Sequence, residues 1–229
     1  MAGALLPEPA PLVAVVAPEQ IELAPDDLPF LWSLLPHADL YLQDEVQLAL
    51  HPTLTRTWCR RGRRGQRKVA APGDNSKAYG FGLVDWRDGW FDDEIADRRR
   101  AAPFCAQVTR AVNRSRARGR VAIVLCDNLG THTARRSRLV RELLATYEGE
   151  LYLVYTPPYD PDANRIEWLW RATRREVTHN HRHTAMSGLI EAAETHFHRL
   201  QAEPAAVLRQ IGSPGMTLPL SAVPLKAAA

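Results

Sequence analysis

An α/β fold, a mixed five-stranded sheet with helices on both faces, is what this sequence predicts, and three observations carry the prediction. Val121–Cys126 is apolar at every position, the pattern of a central strand covered on both sides. Lys77–Asp85 alternates, and the Asp88-Gly89 turn leads on to Trp90 and Phe91, which reads as a hairpin. Helix-like stretches separate the later strands, so antiparallel strands come first and βαβ strands follow.

Taken in order, residues 1–25 are rich in Ala and Pro without periodicity. They are expected as a disordered tail rather than a signal peptide, because no basic region precedes the apolar residues. Asp26 and Asp27 cap a short helix carrying Leu28, Leu31, Trp32 and Leu35, which stops at Pro36. Residues 40–43 form a short strand ending in Asp44. The segment with Trp58, Gly62 and Gly65 is an extended, turn-rich connection to the hairpin. Residues 103–118 repeat Phe104, Val108, Ala111 and Val112 near helical spacing, with Gly119 at the stop. Residues 133–147 form a second helix and Leu151–Tyr155 the last strand. Residues 164–178 are a helix with Ile166, Leu169, Trp170, Thr173 and Val177 on one stripe, and residues 184–201 a final one. The folded domain is placed at 26–203 and a C-terminal tail at 204–229.

A chain of 229 residues holds one principal core, and no apolar run approaches the roughly 20 residues a membrane span needs. Cys59, Cys105 and Cys126 are far apart and lack CxxC spacing, which excludes a disulfide framework or zinc site and fits a reducing compartment. The net charge of +3 is too small to name a partner, but its distribution does. Arg56, Arg60, Arg61, Arg63, Arg64, Arg67 and Lys68 occur with no acid among them, a patch suited to phosphates of a polyanion. Trp58 within it either stacks on a base or covers the sheet, packing being preferred. His179, His181 and His183 lie two apart, on different faces, and read as a solvated helix end.

Three acids stand where elements begin or end. Asp44 follows LYLQ, Asp127 ends VAIVLC, and Glu167 lies in the first turn of a helix reached through the proline-rich loop of Pro157, Pro158, Tyr159 and Pro161. In sheets of this kind, sites lie beyond the carboxyl ends of parallel strands, where Asp127 falls. Two-ion phosphodiester chemistry needs oxygen ligands that hold cations about 3.5 to 4 Å apart. Mg²⁺ takes a few carboxylates plus water and substrate phosphate rather than a full protein cage. Converging carboxylates repel one another, so binding of cations and of DNA should be coupled. Each acid also has a plain structural reading: a surface charge at a strand end for Asp44 or its neighbour Glu45, an Asx-turn for Asp127, a helix first-turn acid for Glu167. Strand parity alone does not decide between Asp44 and Glu45.

LYLQDE, a WxxRG segment, a strand ending in DN with a later His, and PPYxPxxNxIExLW together resemble the catalytic domain of bacterial insertion-sequence DDE transposases of the mariner-like superfamily, IS-six-thirty type. The likeness runs from about Asp39 to Arg175. It implies an RNase H-like fold and a catalytic, metal-binding triad of Asp44, Asp127 and Glu167. It also implies two Mg²⁺ ions, with Mn²⁺ as a substitute. Asn128 and His132 match the DNxxxH pattern and would orient the metal site, touch DNA or structure the loop; Asn164 would cap the helix. Arg165 stands where the family usually has proline. The implied activity is metal-dependent cleavage of DNA strands at element ends and transfer to target DNA, in the bacterial cytoplasm at the nucleoid. Double-stranded DNA is the expected partner, with a second copy of the chain or a separately encoded helix-turn-helix reader, since some 38 residues ahead of Asp39 are too few for two such modules. The alternative is a non-catalytic DNA-binding or regulatory remnant of a truncated transposase. A general nuclease of the same fold, cutting without end specificity, is a third class.

Overall fold

The computed structural model describes residues 21–22, 38–62, 68–69, 72–156 and 164–213. The helix expected at residues 26–35 and the proline loop with Pro157, Pro158, Tyr159 and Pro161 lie outside them. Strands β1 (Ile21–Glu22), β2 (Ala38–Ala49), β3 (Lys77–Asp85), β4 (Phe91–Ala96), β5 (Val121–Cys126) and β6 (Leu151–Tyr155) form one sheet in the order β1-β6-β5-β2-β3-β4. The first four in that order are parallel, and β3 and β4 run antiparallel to their neighbours. Helices cover both faces, and the arrangement is RNase H-like.

The five expected strands make the body of this sheet. The sixth, β1, is a two-residue edge pairing with Val154 and Tyr155, so Ile21 and Glu22 do not belong to the tail in which they were placed. β2 also differs from expectation. It is 12 residues long and runs through Asp44 to Ala49, because antiparallel pairing with β3 continues from Tyr41 to Ala49. A short apolar run of four residues showed only the part buried on both faces.

The helices are α1 (Ala101–Ala117), α2 (Arg138–Thr146), α3 (Ile166–Thr173), α4 (Met186–Ala202) and α5 (Pro204–Ile211). α1 buries Phe104, Val108, Ala111 and Val112 as its spacing predicts. α2 starts five residues later than expected: residues 133–136 turn instead, and the Ser137 hydroxyl caps the helix by accepting from Val140 N–H. α3 is shorter than expected and passes into a π-helical turn, Arg174–Thr178. α5 falls in the presumed C-terminal tail, yet Val207 and Ile211 are fully buried, so the boundary set at residue 203 falls short of the folded unit.

Alternation along β2 divides the core. Leu40, Leu42, Val46 and Leu48 pack with α3, α4 and α5, whereas Tyr41 packs with α1 and α2. Two glycines on β3 let the helices approach. A Cβ on Gly82 would stand 2.3 Å from the Trp170 ring, and one on Gly80 would stand 2.9 Å from Phe197. Trp170, Phe91 and Phe197 form an aromatic cluster over these gaps, with ring centroids 5.7 to 6.3 Å apart. Since Gly82 pairs with Asp44 across the β2–β3 ladder, Trp170 docks α3 on β3 at the residue paired with the first acid.

Candidate active site

Register brings the first two acids together. β2 and β5 pair in parallel up to Leu42 and Leu125, and the same offset two residues further aligns Asp44 with Asp127. Asp44, Glu45 and Asp127 each present a carboxylate oxygen within 4.8 Å of the others. Glu167 stands outside that trio, in the first turn of α3, but close enough that its charge acts on Asp44. Burial pushes the Asp44 carboxyl well above the ordinary range, and repulsion from Glu167, Glu45 and Asp127 adds to it. A cluster of carboxylates so closely gathered fits a hard divalent cation, which takes oxygen ligands.

Parity separates Asp44 from Glu45. Asp44 shares the side of β2 that faces α3, while Glu45 points to the α1 side and meets His132. His132 is buried between two acids: its Nδ1–H donates to Asp127 Oδ1 at 2.6 Å and its Nε2–H to Glu45 Oε1 at 2.7 Å. Phe104 stacks on the ring at 4.3 Å, and Tyr155 donates its hydroxyl to the His132 carbonyl. Burial works against a charged imidazole, but the two carboxylates outweigh it and raise the pKa to about 9. Burial likewise opposes the Asp127 carboxylate, yet His132, the Leu129 N–H and the charge of Arg99 hold it below the ordinary range. The Leu129 bond, 3.0 Å to Asp127 Oδ1, is the Asx-turn foreseen as the structural reading. Asp127 thus shapes its loop and faces the cluster at once.

Glu167 also keeps its structural reading. It is a first-turn acid, and its Oε2 accepts from Arg174 Nη2 at 2.9 Å, two turns along the same helix. Asn164 sits just before α3: its Oδ1 accepts from Ile166 N–H, and its Nδ2 donates to the Gln43 carbonyl at 2.9 Å, tying the helix start to β2 beside Asp44. Asn128 donates to the Thr156 carbonyl and so links the ends of β5 and β6.

Of the basic segment, Arg56, Arg60, Arg61 and Lys68 are exposed, while Arg63, Arg64 and Arg67 lie outside the described residues. Trp58 is fully exposed, so the preferred packing role does not hold: the loop stands away from the sheet. The histidine segment is not a solvated helix end either. His181 is buried and bonds the Ala49 carbonyl, and Asn180, at φ 51, exchanges bonds with Thr55. Sequence reasoning missed Glu45 as the partner of His132 and Arg174 as that of Glu167. The seven-residue interval of the latter pair was a readable signal, two turns of one helix.

The fold and the acid cluster, set midway along β2 and just beyond the carboxyl end of β5, define the class: an RNase H-like domain with a carboxylate site suited to divalent cations. Residues 39–190 match the family described as DDE superfamily endonuclease, and the chain belongs to that family. The insertion element IS630 uncharacterized 39 kDa protein of Shigella sonnei is 26% identical over 153 residues, covering 66% of this chain and 42% of that protein. The Mos1 mariner paired end complex with Mn has the same fold at TM-score 0.50 and 16% identity, covering 84% of this chain and 62% of that one. The Mos1 strand transfer complex is similar at TM-score 0.48 and 18% identity, over 82% and 57%. This chain therefore spans about two-fifths of that curated relative and less than two-thirds of either Mos1 chain. No helix among the described residues is long and apolar enough to cross a membrane.

Proposed function

We propose that this chain is the catalytic domain of a DNA transposase, cutting phosphodiesters at element ends and joining the freed 3′-OH to target DNA. The observation that carries the reading is the meeting of Asp44, midway along β2, with Asp127 just beyond the end of the adjacent β5, and with Glu167 close enough to act on Asp44. Asp44, Asp127 and Glu167 would hold two Mg²⁺ ions, or Mn²⁺ in their place. Those ions, when bound, would supply activation of the attacking oxygen and charge neutralisation of the leaving one. The chain's own part is placement. His132 and the Leu129 N–H hold Oδ1 of Asp127, which fixes the plane of that carboxylate. Glu45 anchors His132 from the other side and is a positioning group rather than a ligand. Asn164 fixes the start of α3 to β2, and with it the distance from Glu167 to Asp44.

Arg56, Arg60, Arg61, Arg63, Arg64, Arg67 and Lys68 would contact phosphates, giving an affinity that falls with salt. A second copy of the chain or a separate helix-turn-helix protein would supply end recognition. The test is a cleavage and strand-transfer assay on DNA bearing the element's terminal repeats, with Mg²⁺ or Mn²⁺. Products that depend on metal and vanish in Asp127→Asn and Glu167→Gln are expected. Metal-independent DNA binding without cleavage would instead establish a regulatory remnant, and cutting of any DNA without transfer a general nuclease.

A further inference from the structure

Beyond the acid cluster, α3 and the π-helical turn present an open groove of about 410 Å³ lined by Trp168, Arg171, Arg174, Arg175 and His179. Among the described residues, three guanidiniums and an imidazole share it with a single indole, and no carboxylate lines it. Trp168 is a firm wall: Arg165 stacks on its ring at 4.3 Å, and the α5 terminus at Gly212 abuts it. The π-helical turn sets the other wall, since the His179 N–H closes on the Arg174 carbonyl at 2.7 Å. The arginines make the groove basic, whereas His179 is held below its ordinary pKa first by burial and then by Arg174 and Arg175.

Its position is as informative as its charge. Arg174 belongs to the groove and also donates to Glu167 Oε2. On its far side, His179 pairs with Thr53, and Asn180 holds Thr55, so the exposed Arg56 of the basic segment, with Arg60 and Arg61 after it, follows on beside the same groove. The positive surface thus runs from that segment, across the groove, to the edge of the acid cluster.

We propose that this groove binds the phosphodiester backbone of DNA and that Arg174 couples it to the metal site, rather than serving only to fix α3. In the free protein the Arg174 guanidinium neutralises Glu167. A backbone phosphate entering the groove competes for the same guanidinium, because a planar donor fork suits phosphate as well as carboxylate. Glu167 is then released toward Asp44 and Asp127, so each ligand promotes the other. The proposal rests on the DNA-directed reading above and adds to it a second contact surface and the residue that links the two.

The experiment compares wild type, Arg174→Ala and Arg175→Ala. Mn²⁺ binding is followed by electron paramagnetic resonance, and binding of a fluorescent 30-base-pair duplex by anisotropy from low to high salt. Without DNA, Arg174→Ala should bind Mn²⁺ more tightly than wild type, because the competing cation is gone. Each substitution should weaken DNA binding about tenfold and lower the slope of log affinity against log salt by about 0.9. DNA should tighten Mn²⁺ binding in wild type and in Arg175→Ala, but not in Arg174→Ala. Equal DNA affinity and slope in all three proteins would overturn the groove while leaving the transposase reading intact. Weaker Mn²⁺ binding by free Arg174→Ala would overturn the coupling, marking Arg174 as a support for Glu167. A wild-type protein that binds no duplex at any salt would overturn both the groove and the reading beneath it.

Discussion

Gly82→Ala tests whether the close approach of α3 to the sheet sets the geometry of the acid cluster. The new Cβ would stand 2.3 and 2.6 Å from two ring carbons of Trp170 and 3.2 Å from Phe91. Ordinary carbon contacts need about 3.5 to 4.0 Å, so the indole must retreat by roughly an ångström. It cannot swing aside cheaply, because it is fully buried against Phe91 and Phe197. The strain therefore passes to α3, and Glu167 lies three residues earlier on that helix. Overpacking of this kind costs about 1–3 kcal/mol of stability. A misplacement of roughly an ångström at a reacting centre costs on the order of a hundredfold in rate. Urea unfolding and metal-dependent strand cleavage should thus show a folded protein with activity reduced about a hundredfold. Gly80→Ala is the control, since its Cβ meets Phe197 of α4 and Val46 rather than α3. It should lose stability with at most a fewfold change in rate. A Gly82→Ala protein with unimpaired cleavage, or equal losses from both glycines, would refute the reasoning.

Asp44→Asn should raise the thermal midpoint of the metal-free protein at neutral pH while abolishing its response to Mn²⁺. The Asp44 pKa is raised in the fold, so its ionisation costs stability as pH rises through the folded value, and Asn removes that cost; a lower midpoint than wild type at pH 8 would contradict this. His132 shares that pH dependence, but its charged form stabilises the fold. Its pKa rises from 6.5 to about 9, so its stabilisation is complete below 6.5 and is lost as pH climbs through about 9. His132→Asn should accordingly cost on the order of 3 kcal/mol at pH 6 and much less at pH 10, read from urea midpoints across pH; a pH-independent difference would argue against a charged imidazole. At the far end of β2, the fully buried Asp39 accepts from Arg87 at 2.8 Å and from Arg118 and Ser115 at 3.2 Å. Asp39→Ala should cost about 3–5 kcal/mol by stranding those donors, with Mn²⁺ affinity unchanged; a parallel loss of metal binding would show that this network reaches the site.

Much of this protein was legible in one dimension. The uninterrupted apolar run of β5, the turn glycine of the β3–β4 hairpin and the stripe of α3 are local patterns, and each formed where its periodicity placed it. Asp127 and Glu167 were likewise visible, because strand ends and helix starts are marked by composition; Asp44, expected at a strand end, lies midway along β2. What the chain alone left open was anything fixed by contact between distant segments. Adjacent acids on a strand face opposite ways, so only the packing of α3 on one side of β2 and α1 on the other assigned Asp44 to Glu167 and Glu45 to His132. The true length of β2, the edge strand β1 and helix α5 were hidden for the same reason. Each depends on a partner far away in sequence, and neither propensity nor spacing encodes where that partner will lie.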